Sequence, residues 1–139
     1  MNQPAHKDSA VIADATTVLG DMRDLSRALV YAALLTDDGF EVVSVPSVRT
    51  EGSRMASMAS SMQALSDAVA RELKMGSSEY IIIATQSGYV IQLRVPGQSL
   101  VLSTKFLDNE TLGKALAISR QAAAKMSSLM APSTPLGVL

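Results

Sequence analysis

The stretch Ala28-Leu29-Val30-Tyr31-Ala32-Ala33-Leu34-Leu35-Thr36-Asp37-Asp38-Gly39-Phe40-Glu41-Val42-Val43-Ser44-Val45 decides the fold. Ala28 to Leu35 is apolar without interruption, a pattern that suits a helix or a buried strand. Asp38-Gly39 is a strong hairpin signal, and the β-rich residues Phe40 to Val45 follow it at once. The pair of segments therefore reads as two antiparallel strands, and Pro46 ends the second.

Upstream of the hairpin, Asp8 or Ser9 can cap a helix. Val11, Ile12, Ala15, Val18, Leu19 and Met22 recur with helical period. Gly20-Asp21 reads as its stop, which places the end near Leu19. Downstream, Pro46 to Gly52 reads as a loop, with Thr50 or Ser53 capping a long helix that runs to about Lys74. Met55, Met58, Met62, Leu65, Val69 and Leu73 form one stripe on that helix, and alanines and serines fill most other positions. The stripe is expected to face the helix's own sheet. The small flank carrying Ala56, Ser60 and Ala64 is expected to face a sister subunit, because small residues allow close approach.

Three strands follow. Tyr80-Ile81-Ile82-Ile83-Ala84-Thr85 lacks alternation, which predicts cover on both faces. Two arrangements provide it: a central strand within one chain, or an edge strand whose residues Tyr80, Ile81, Ile82 and Ile83 meet a second copy across a two-fold axis. Gln86-Ser87-Gly88 and Pro96-Gly97 turn the chain into strands at Tyr89–Val95 and Gln98–Phe106. Asp108 or Asn109 caps a last helix, with Leu112, Ala115, Leu116, Ile118, Ser119, Ala122, Ala123, Met126 and Leu129 on its buried face. Lys114, Arg120 and Lys125 form its wet face, and Gly113 suggests close approach to a neighbouring backbone. The order is α-β-β-α-β-β-β-α. The expected fold class is α+β, a five-stranded and mostly antiparallel sheet with helices on both faces. Residues 9–130 read as one domain, with flexible tails at 1–8 and 131–139.

Composition narrows the chemistry. Among 139 residues, 12 are Lys or Arg and 13 are Asp or Glu, a balance that argues against nucleic-acid binding. Aromatic residues make up only 4%, too few for a base-stacking platform. The sequence has no cysteine, which removes disulfides, thiolate metal sites and cysteine nucleophiles. It also tilts the expected location towards the cytoplasm. The longest apolar run is far short of a membrane span. The only histidine is His6, which leaves no fixed Ser-His-Asp arrangement. No phosphate-binding loop, dinucleotide fingerprint or metal-ligand spacing occurs. Asp37-Asp38 reads as part of the hairpin turn, with a pair of acid-base carboxylates as the competing reading. No cofactor and no enzymatic activity are expected.

This order of elements, with an Asp-Gly hairpin ahead of a long alanine-rich helix, resembles the roadblock (dynein light chain 7-type) domain. Ala33 to Phe40, Arg54 to Leu65 and Phe106 to Gly113 carry the resemblance, which covers about residues 9 to 130. It implies a roadblock/profilin-like sandwich. It also implies a non-enzymatic adaptor or regulator of a small Ras-like GTPase, of a bacterial type, working as a homodimer. In that family the central helix and the strand after it build the dimer, and the GTPase supplies the phosphate chemistry. Arg49, Glu51 and Arg54 are then candidates for GTPase contact; their plainer reading is a solvated helix end. An arginine supplied in trans to phosphoryl transfer is a third reading for Arg49 or Arg54. A nucleotide-independent scaffold and a small-ligand sensor are the competing functions.

Overall fold

The computed structural model describes residues 4–46 and 49–130; for residues 49–53 it describes the backbone course only. The elements are α1 (Ser9–Leu25), β1 (Leu29–Thr36), β2 (Glu41–Val45), α2 (Arg49–Glu72), β3 (Tyr80–Thr85), β4 (Gly88–Arg94), β5 (Leu100–Leu107) and α3 (Leu112–Leu129). This is the α+β order expected from the sequence. The five strands form one sheet in the order β2-β1-β5-β4-β3, and every neighbouring pair is antiparallel.

Asp8 starts α1: its side chain accepts from the amides of Ala10 at 3.0 Å and Val11 at 3.4 Å, as an N-cap does. The helix does not stop at Gly20 but continues to Leu25. A glycine inside a helix costs about 1 kcal/mol. Met22, 1% exposed in the core, offsets that cost. Ahead of α1, Ala5–Lys7 form a short 3-10 helix within the segment expected as a tail. His6 there stacks on Phe40 with ring centroids 4.6 Å apart.

The hairpin forms as its turn residues predict. Thr36 Oγ1 donates to Asp38 Oδ1 at 2.6 Å and accepts from the Phe40 amide at 2.9 Å. Gly39 has φ of +93°, a conformation open mainly to glycine. The Asp37-Asp38 pair thus serves the turn. At the other end of the sheet, a side chain at Gly88 would collide with the Phe106 carbonyl, so this turn glycine is structural. Gly113 has open space around it, so the expected close approach there does not occur. At the start of α3, Thr111 Oγ1 accepts from the Lys114 amide at 3.2 Å, so the cap is Thr111 rather than Asp108 or Asn109.

The main core lies between the sheet and the α1/α3 layer. Leu19, Met22, Leu34, Leu102, Phe106 and Met126 are at most 1% exposed there. Thr104 and Ser119, polar residues within it, are paired: Thr104 Oγ1 donates to the Ile91 carbonyl at 3.1 Å and meets Ser119 Oγ at 3.1 Å. The opposite face holds a smaller cluster of Tyr31, Ala33, Leu35, Ala56 and Ala59 beneath α2.

Candidate interaction surface along α2 and the β3 edge

α2 approaches the sheet with its small residues. Ala56 and Ala59 are 1% exposed and Gln63 is 5% exposed. Gln92 Nε2, from β4, donates to the Ala59 carbonyl at 2.9 Å and to Gln63 Oε1 at 3.4 Å. Ser60 Oγ donates to the Asp37 carbonyl at 3.0 Å. Arg94 Nη2 lies 3.4 Å from Asp37 Oδ1 and 3.5 Å from Asp67 Oδ2, joining β4, the hairpin turn and the helix.

The larger apolar residues point the other way. Met58, Leu65, Val69 and Leu73 are 48%, 66%, 49% and 60% exposed. This departs from the sequence expectation for the helix: most of the stripe faces outward, with Met55 packed at the helix–sheet cluster and Met62 half-buried, while Ala56 and Ala59 face the sheet and Ala64 is exposed. Helical period reveals that a stripe exists but not which neighbour it meets. The sheet rows under α2 carry Gln92 and Ser103, and a bulky stripe would not pair with them.

β3 is an edge strand. One side pairs with β4 in register from Tyr80 opposite Leu93 to Thr85 opposite Gly88; among the described residues, no strand lies on the other. Among the described residues β3 is therefore an edge strand of the sheet and not a central one. Tyr80 and Ile83 are exposed, Ile81 is half-buried, and Ile82 packs against the main core from the edge. Between β3 and α2 runs an open groove of about 620 Å³, lined by Met62, Leu65, Val69, Leu73, Tyr80 and Ile83 among others. Ser66 and Ser78, which also line it, share a short hydroxyl–hydroxyl hydrogen bond.

The residues expected at a dimer interface are thus divided. Tyr80, Ile81 and Ile83 line the groove between α2 and β3, and Ala64 is exposed on α2 but does not line it. Ala56 is buried in its own chain, and Ser60 is half-buried on the hairpin turn. Leu65, Val69 and Leu73 belong to the surface but read as core in the sequence. Arg54 is exposed beside a cavity of about 280 Å³ lined by Tyr31, Met55, Met58 and Lys105 among others. Arg49 and Glu51 fall on the first turn of α2, and their side chains lie outside the described residues.

The chemistry elsewhere is sparse. Among the described residues, no group of three His, Asp or Glu side chains is placed to hold a metal, and no helix is long and apolar enough to cross a membrane. Glu110 has a carboxyl held below its ordinary range, first by the Ser26 hydroxyl, which donates at 2.6 Å, then by the Thr111 amide and the Lys114 ammonium. It lies before α3, at the junction with the end of α1, and is no part of the α2/β3 surface.

No protein-family model and no curated protein matches the sequence. Solved structures do match the fold. An MglB with a tetrameric arrangement superposes with a TM-score of 0.76 at 19% identity, covering 88% of this chain and 91% of that one. The gliding protein MglB from Thermus thermophilus gives 0.76 at 17% identity, over 88% of this chain and 92% of that one. A Roadblock/LC7 domain from Streptomyces avermitilis gives 0.71 at 15% identity, over 81% and 92%. At such identity the likeness concerns the backbone, and it agrees with the eight-element order read from the sequence. The chain has the fold of the roadblock domain.

Proposed function

We propose that the protein is a homodimeric, non-enzymatic adaptor that binds a small Ras-like GTPase. The observation that carries this reading is the uncovered apolar surface of α2 and the β3 edge. An apolar strand left open at a sheet edge invites pairing, and a two-fold axis satisfies it with the same residues from each copy. Antiparallel β3–β3 pairing would join two five-stranded sheets into one. Leu65, Val69 and Leu73 would then be drawn against the partner's helix. Ala64, Tyr80, Ile81 and Ile83 are the contact residues of this reading.

The GTPase part rests on the family resemblance of the sequence, with which the roadblock fold agrees. The beginning of α2, with Arg49, Glu51 and Arg54, is the GTPase-contact region. The protein works in the bacterial cytoplasm, without a cofactor of its own. The scarcity of proton-handling side chains around the α2/β3 surface fits binding rather than catalysis.

The test is affinity capture from the source lysate with a non-hydrolysable GTP analogue and, separately, with GDP. Enrichment of one small G-domain protein with the analogue supports a state-sensing regulator. Equal recovery in both lanes means a constitutive scaffold. Absence of any G-domain protein from both lanes overturns the GTPase reading.

A further inference from the structure

We infer that α2 is a releasable helix, seated on a polar and incompletely bonded row of the sheet and fastened by a latch at Arg94. The register places Ser44 opposite Ala33, Ala33 opposite Ser103, Ser103 opposite Gln92, and Gln92 opposite Ile81. Directly opposed residues share a face, so this row crosses all five strands on the α2 side. Ser44 is 5% exposed, and Ser103 and Gln92 are fully buried. Yet Ser44 Oγ, Ser103 Oγ and Gln92 Oε1 have no hydrogen-bond partner among the described residues.

Burying a polar atom without a partner is unfavourable. Lifting α2 opens these atoms to bulk solvent, where each can form hydrogen bonds that the described residues do not supply. Lifting α3 would instead expose Ile118, Ala122 and Met126, which belong to the packed core. The apolar contact beneath α2 is small, because three of its five buried members are Ala33, Ala56 and Ala59. What fastens the helix is polar: Gln92 to the Ala59 carbonyl, Ser60 to the Asp37 carbonyl, and Arg94 between Asp37 and Asp67. The side chains of Arg94, Asp37 and Asp67 are each more than a third exposed, so water screens their attraction.

The latch also gives the helix a route to the rest of the molecule. Asp37 begins the turn that presents Phe40, and Phe40 carries the stacked His6. A displacement of α2 breaks contacts at that turn and leaves the α1/α3 layer intact. Contact with the outward stripe of α2 is thereby coupled to the hairpin turn. This inference stands apart from the identity of the partner.

Hydrogen–deuterium exchange of the full chain tests it, read by peptide mass at two protein concentrations. Amides of residues 56–66 are expected to exchange at least about tenfold faster than those of residues 115–126, as for separately opening units. Arg94→Ala is expected to speed exchange in α2 by a further two- to fivefold, about the worth of an exposed ion pair, and to leave α3 unchanged. Ser103→Ala, which deletes an unpaired hydroxyl, is expected to slow exchange in α2. Equal protection of α2 and α3 would overturn the inference, as would an Arg94→Ala effect that reaches both helices alike. Protection of α2 that follows protein concentration and ignores both variants would overturn it too, because a second copy would then be what holds the helix.

Discussion

On one face of the sheet, Phe106, Leu34, Leu102 and Met126 meet at 1% exposure or less between α1 and α3. On the other face, α2 meets the same strands through Ala56, Ala59 and Gln63 and leaves Leu65, Val69 and Leu73 outside. Both helix layers are amphipathic, but they place their apolar residues differently. The α1/α3 layer buries them within the chain, where each large side chain contributes about 1.5–3 kcal/mol. The α2 layer keeps close approach and polar fastening inside and leaves its large apolar residues exposed. The large apolar core lies on one face, and the exposed apolar stripe on the other.

The strongest way to break this comparison is to cut into each face and compare losses. Phe106→Ala is expected to cost about 3–5 kcal/mol of unfolding free energy, the range for deleting a buried aromatic; urea titration measures it. A loss below about 1 kcal/mol, no more than an ordinary substitution causes, would show that the α1/α3 core is not the main source of stability. A second pair sharpens the orientation of α2. Ala59→Leu pushes bulk into the helix–sheet contact and is expected to cost about 1–3 kcal/mol. Leu65→Ala removes an outward side chain and is expected to stay within about 0.5 kcal/mol when measured on the monomer. The reverse ranking would restore the orientation expected from the sequence.

Smaller effects probe the polar contacts on each side. Arg94→Ala is expected to cost under about 1 kcal/mol, with the difference from the parent fading at high salt, because the pair is exposed. Glu110 offers a pH test at the α1/α3 side. Its carboxyl is held below the ordinary value of 4.5 in the folded chain. The stability it contributes is therefore present above that value and lost as pH falls through the lower folded value. Glu110→Gln should melt below the parent at neutral pH, and the gap should close as acid titrates the carboxyl below its ordinary value. A gap that widens in acid would contradict the assignment.

Much of the fold was legible because local signals agreed. Asp38-Gly39 marked the hairpin, Gly88 and Gly97 marked the later turns, and the apolar runs supplied all five strands. Boundaries were less legible where packing overrode a local signal. Gly20 failed to stop α1, and α2 begins at Arg49, ahead of the Thr50 and Ser53 caps. The direction of the α2 stripe was not legible at all. An exposed stripe has the same period as one buried in its own chain, and the decisive features, Gln92 and Ser103 beneath the helix, come from distant strands. The β3 edge was hidden for a related reason: Tyr80–Thr85 reads alike whether a neighbour strand or a second copy covers it. Arg94 bridging Asp37 and Asp67 joins three segments far apart in sequence, beyond any local pattern.

The central claim is that the α2/β3 surface receives a second copy of the chain. Sedimentation velocity across a micromolar concentration series, on the parent and on Ile83→Asp combined with Leu65→Glu, tests it most directly. The account predicts a dimer for the parent and a folded monomer for the variant, with circular dichroism unchanged. A parent that sediments as a monomer throughout, or a variant that remains dimeric, would contradict it.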